Sequence, residues 1–131
     1  MAFLKNADRQ YPLAAVVEIS YSDLVSGVPL PVAEVPNDAV VTGGQFIVTQ
    51  VFNSATSDTV TVGDADDDDE YKGGINAKSA GTTALVPTGH QYASNTDLVV
   101  KWTGVGTAPT QGKALLIVEY VRQWRSNENQ G

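Results

Sequence analysis

The chain has 131 residues, enough for one ordinary core and too few for two, because domains run to about 100–150 residues. It has no cysteine, which excludes a disulfide framework and thiolate chemistry. The net charge of −7 leaves no electrostatic footprint for a phosphate backbone, so nucleic-acid binding is disfavoured. The excess charge is local: Asp64, Asp66, Asp67, Asp68, Asp69 and Glu70 carry most of it, and the rest is close to balanced.

Met1 to Gln10 includes Lys5, Asp8 and Arg9 without a sustained apolar stretch. It does not read as a signal peptide, and synthesis in a host cytoplasm is expected. Valine and threonine dominate the rest of the chain. Both are β-branched and suit a pleated sheet better than a helix. The first predicted strand is Ala14 to Tyr21, with Ala15, Val17, Ile19 and Tyr21 on one face and Glu18 and Ser20 on the other. A loop at Ser26-Gly27 leads to an extended piece, Leu30 to Val35. Pro29, Pro31 and Pro36 bracket it and place it at a sheet edge, since proline cannot donate to a ladder. Ala39 to Phe52 is the next strand, interrupted by a bulge or sharp bend at Gly43-Gly44.

After a turn at 53–57, Asp58 to Gly63 is a strand with Val60 and Val62 inward and Thr59 and Thr61 outward. The acidic loop comes next. Tyr71 to Ala77 is weakly patterned, Thr82 to Val86 is a short strand ending at Pro87, and Asp97 to Thr103 places Leu98, Val100 and Trp102 on one face. Gly104 to Gly112 is a loop. Lys113 to Trp124 is the longest strand. No segment has helical periodicity over ten residues. About eight strands separated by Gly, Pro, Asn, Asp and Ser predict an all-β antiparallel sandwich in a single domain, 1–131.

The last strand is apolar on both faces. Ala114, Leu116, Val118 and Tyr120 share one; Leu115, Ile117 and Val121 share the other. A strand with one solvated face should alternate. Either the strand is central and covered twice within the domain, or another chain covers one face. The apolar run Ala114 to Val118 falls far short of the roughly 18 residues a membrane helix needs.

Catalytic and metal-binding patterns are sparse. His90, the only histidine, sits in a turn sequence without a nucleophile elbow nearby. Glu18, Glu34 and Glu119 are scattered acids of the kind any soluble domain carries, although a glycosidase would need two across a cleft. The weak metal candidates are Asp64, Asp66 and Asp68. Calcium wants about six to eight oxygen ligands, yet the run lacks the glycine and the bidentate glutamate of an EF-hand frame. No cofactor is expected, and the chain reads as a non-enzyme. Trp102 fits the core. Trp124, between Arg122 and Arg125, has the aromatic-plus-arginine composition of a binding hot spot. Leu115, Ile117, Val121, Arg122, Trp124 and Arg125 are the candidate interface, with the two arginines expected to pair with acidic groups.

Several segments carry a wider likeness: Ile19 to Gly27, Ala39 to Gly44, Phe52 to Ser54, Ser57 to Asp64, Leu85 to Gly89, and Leu116 to Arg122 with the trailing Asn127-Glu128. In this general pattern the chain resembles a family of small structural proteins of tailed bacteriophages. The resemblance implies a jelly-roll-like sandwich that acts as a capsid decoration (cement) protein. Its partners would be the major capsid protein and itself, on the outside of the virion head, as a homo-oligomer with a trimer favoured over a dimer. It supplies no catalytic residues. Residues 1–13 and 125–131 would then be arms. The competing readings are a tail or fibre accessory module and a carbohydrate-binding sandwich using its tryptophans.

Overall fold

The computed structural model describes residues 12–123. Eight strands occur in them: β1 (Leu13–Ser20), β2 (Pro29–Val35), β3 (Ala39–Gln50), β4 (Ser57–Asp64), β5 (Lys72–Asn76), β6 (Gly81–Ala84), β7 (Thr96–Val105) and β8 (Lys113–Arg122). The only described helix is one 3-10 turn, Tyr21–Asp23.

The strands pair from the outside in. β1 pairs with β8, β2 with β7, β3 with β6 and β4 with β5, all antiparallel. The chain is therefore one long hairpin, outbound through β4 and returning from β5. Rolling that hairpin up brings β8 beside β3 and β7 beside β4. Two four-stranded sheets result, ordered β1-β8-β3-β6 and β2-β7-β4-β5. This is the jelly-roll connectivity, and it confirms the predicted sandwich.

The core lies between the sheets. Ile19, Val41, Phe46, Val48, Ala114, Leu116 and Val118 enter from the β8 sheet; Val35, Val60, Val62, Ile75, Leu98, Val100 and Trp102 enter from the β7 sheet. They are the inward members of alternating strands. Each large side chain so buried contributes about 1.5–3 kcal/mol relative to exposure.

Two glycines set the shape. At Gly43-Gly44 the β3–β8 register shifts, which is the bulge expected from sequence. Gly44 has φ +144°, and a Cβ there would collide with the carbonyl oxygen of Ile117. Gly44→Ala therefore combines backbone strain with a steric clash in the middle of the sheet. It is expected to destabilise the fold by about 2–4 kcal/mol in denaturant unfolding, and a loss below about 1 kcal/mol would contradict this. Gly63 permits a different approach: the 65–70 loop folds back onto the outward side of β4, and a Cβ at Gly63 would strike the backbone of Asp67 and Asp68.

The sandwich has two distinct ends. One carries the β2–β3 turn, the acidic β4–β5 loop and the β6–β7 segment. The other carries the 3-10 turn and the loops before β4 and β8. Two buried carboxyl groups, Asp64 and Asp58, hold these ends.

Candidate functional site

Leu115, Ile117 and Val121 of the candidate interface fall on the outward face of the β8 sheet. Because β8 lies between β1 and β3, register fixes which side chains stand together. Leu115 is opposite Glu18 of β1 and Ile47 of β3; Ile117 is opposite Val16 and Gln45; Val121 is opposite Val40. Val16 is 61% exposed. Leu115, Ile117, Val121, Val40 and Ile47 are half-buried by their in-sheet neighbours, whereas Ala114, Leu116 and Val118 are fully buried. The strand is thus central within its sheet, but the second sheet covers only its inward face. Among the described residues no strand lies over the outward one. A patch led by Val16, Leu115 and Ile117, flanked by Lys113, Glu18 and Glu119, has the anatomy of an apolar contact centre with a polar rim.

Arg122 does something other than expected. Its Nε donates to the Asn37 carbonyl oxygen and its Nη2 to Asn37 Oδ1, both at 2.9 Å. It clamps the β2–β3 turn to the end of β8 instead of pairing with an acidic group. Trp124 and Arg125 lie outside the described residues, as do the proposed tail 125–131 and most of the proposed arm 1–13.

The acidic loop turns away from this face. It curls over the outward side of the opposite sheet, where Asp68 pairs with Lys101 of β7 at 3.1 Å. Asp64, a weak metal candidate, is 4% exposed and already committed. Its Oδ1 accepts the amides of Asp66 (3.0 Å) and Asp67 (2.8 Å), and its Oδ2 accepts Tyr92 Oη at 2.8 Å. Those bonds shape the loop and tie it to the β6–β7 segment. The trio Asp64, Asp66 and Asp68 does not converge. The carboxylates that do approach one another are Asp67, Asp68 and Asp69, and Asp67 beside Asp69 holds the Asp69 carboxyl above its ordinary range.

Behind Asp64, the Tyr92 and Tyr71 hydroxyls bond to each other, and His90 packs edge-on against Tyr92 at 4.6 Å. Burial raises both phenols above their ordinary value, and the Tyr71 and Asp64 contacts raise Tyr92 further. A phenol whose folded value is raised binds its proton more tightly in the native state. Its stabilisation is present below the free-phenol value of about 10 and is lost as pH rises above it. Tyr92→Phe is expected to cost about 1.5–3 kcal/mol at neutral pH and to flatten the alkaline fall in stability. Unfolding melts across that range check this, and an unchanged alkaline limb would contradict it.

The second buried carboxyl, Asp58, secures the opposite end. It is fully buried, with Ser54 Oγ (2.6 Å) and Trp102 Nε1 (2.8 Å) on Oδ1 and the Ser54 amide (3.0 Å) on Oδ2. Trp102 is therefore a core residue, which removes it from any sugar-stacking platform.

No family model matches the chain, and no curated protein matches it. Solved structures do. A chain in the capsid asymmetric unit of cyanophage Pam1 has a TM-score of 0.72 at 17% identity, covering 92% of this chain and 94% of that one. A chain in the capsid of Ralstonia phage GP4 has a TM-score of 0.67 at 16% identity, covering 95% and 92%. A chain in the acid-stable capsid structure of Helicobacter pylori bacteriophage KHP30 has a TM-score of 0.62 at 15% identity, covering 85% and 91%. The fold is therefore a jelly roll shared, over nearly its whole length, with chains in phage capsid structures.

Proposed function

We propose that this chain is a non-enzymatic virion structural protein of a tailed phage: a decoration protein that binds the outer surface of the head and stabilises it. The observation that carries this reading is the likeness to chains in three phage capsid structures, extending over most of both partners in each case. A β-sandwich with one core, whose buried carboxylates Asp58 and Asp64 are spent on holding its own loops, suits adhesion rather than catalysis. The partner is the major capsid protein.

The two outward faces differ in a way that supports an orientation. The β8 sheet presents Val16, Leu115 and Ile117, and the opposite sheet carries the folded-back acidic loop. Seating the apolar face on the shell would bury it and leave the acidic loop pointing to solvent. There, like charges keep a dense array of subunits soluble.

The test is co-sedimentation of the purified chain with undecorated heads of the phage that encodes it. Saturable binding, with a head more resistant to heat than the bare one, is expected. Binding to tails or fibres but not heads would replace this reading with an accessory role there. Selective retention on glycans would replace it with carbohydrate recognition.

A further inference from the structure

Among the described residues the jelly roll leaves four strand edges, and three of them are blunted. β2 carries Pro29 and Pro31 and a register shift. β5 contains Gly73-Gly74 beside another register shift. β6 is four residues long. Such features are how sheets avoid pairing with strangers. β1 has none of them. It runs for eight residues without proline or glycine, has one charge, and pairs with β8 without a break in register.

The phase of its free hydrogen-bonding groups is set at its end. The Tyr21 amide donates to the Gly112 carbonyl, one step beyond the ladder. In an antiparallel pair, residues facing the partner with N–H and C=O alternate with residues facing away. The odd-numbered residues of β1 therefore bond to β8, and Ala14, Val16, Glu18 and Ser20 point their backbone groups outward. Ser20 fits this phase, because its amide is taken by the Asp23 carboxylate. That leaves three consecutive outward positions without a partner among the described residues, centred on Val16.

We propose that a second copy of this chain occupies this edge, β1 against β1 antiparallel, about a two-fold axis through Val16. This register uses every free position: Val16 faces its own copy, and Ala14 faces Glu18 of the other chain. Glu18, the strand's one charge, never meets its counterpart. On the inward side, half-buried Ala15 meets Val17, a small side chain against a larger one, which closes the open margin of the core. The two β8 sheets become one eight-stranded sheet whose outward apolar patches are continuous. An isologous pair of this kind is self-complementary and closed, a two-fold alternative to the three-fold assembly expected from the resemblance. The inference is independent of head binding, since it is read on the isolated protein.

Sedimentation velocity of the full chain over a range of concentrations is expected to show a monomer–dimer equilibrium. Amide exchange at Ala14, Val16 and Glu18 should slow as the dimer fills. Val16→Pro removes an outward N–H and no bond to β8, so it should give a folded monomer by circular dichroism. Ala14 is exposed, so its variants test register without disturbing the core. Ala14→Lys places opposite charges across the new pair and should tighten the dimer about two- to thirtyfold; Ala14→Glu should loosen it by a similar factor. A chain that stays monomeric at the highest concentrations used for NMR overturns the proposal. So does a trimer, or a dimer indifferent to both Ala14 variants.

Discussion

Asp58→Ala is expected to cost about 3–5 kcal/mol of folding stability. The carboxyl is fully buried and receives three donors, from Ser54 Oγ, the Ser54 amide and Trp102 Nε1. Alanine removes their acceptor without admitting water, so each is left unsatisfied in the core. Lys78 Nζ is also held on the Ser54 carbonyl, so the damage spreads to the β5–β6 connection. Domains of this size are stable by about 5–15 kcal/mol in total. The variant should therefore unfold at a much lower denaturant concentration with a similar slope. Asp58→Asn keeps the Oδ1 acceptor but turns an amide group toward the Ser54 N–H, and should fall between. A loss below about 1 kcal/mol for the alanine variant would mean that the loop before β4 does not depend on this carboxyl.

The second large effect concerns binding. Ile117→Lys places a charge at the centre of the outward patch, opposite Val16 and Gln45. A hot-spot position is worth at least about 2 kcal/mol, so affinity for undecorated heads should fall by about 30-fold or more. Folding should change little, because Ile117 is not part of the buried core. Leu116, one residue away, points inward and is fully buried. Leu116→Ala should cost about 2–5 kcal/mol of stability through the cavity it leaves. Adjacent residues on one strand thus have opposite signatures. Equal loss of folding in both variants would mean that the outward face is structural.

Much of the fold is legible in the sequence because a sheet has a period of two. Alternation in Ala14–Tyr21, Asp58–Gly63 and Asp97–Thr103 places β1, β4 and β7 to within two residues at either end. The proline cluster correctly puts β2 on an edge. Boundaries slip where a side chain competes with the ladder. Tyr21 continues the alternation of β1, yet Asp23 caps Ser20 and turns the chain into a 3-10 turn.

The buried acids are half legible. Asp58 and Asp64 share the inward parity of Val60 and Val62, which signals carboxyls aimed at the core. Their partners cannot be read: Ser54, Trp102 and Tyr92 meet them only through the local turn and the rolled topology. The acidic run shows its charge but not that Asp64 is consumed by its own loop. The two-faced apolar character of β8 leaves two explanations open. The structure answers with one buried face and one outward face.

The proposed role depends on the outward side of the β1-β8-β3-β6 sheet being an adhesive surface for a phage shell. Cryo-electron microscopy of undecorated heads mixed with the purified chain tests it most directly. The expected result is added density at symmetric positions, fitted by the jelly roll with Leu115 and Ile117 against the shell and the 65–70 loop facing solvent. Shells that stay bare at saturating protein would contradict it, as would density in which that sheet faces away from the shell.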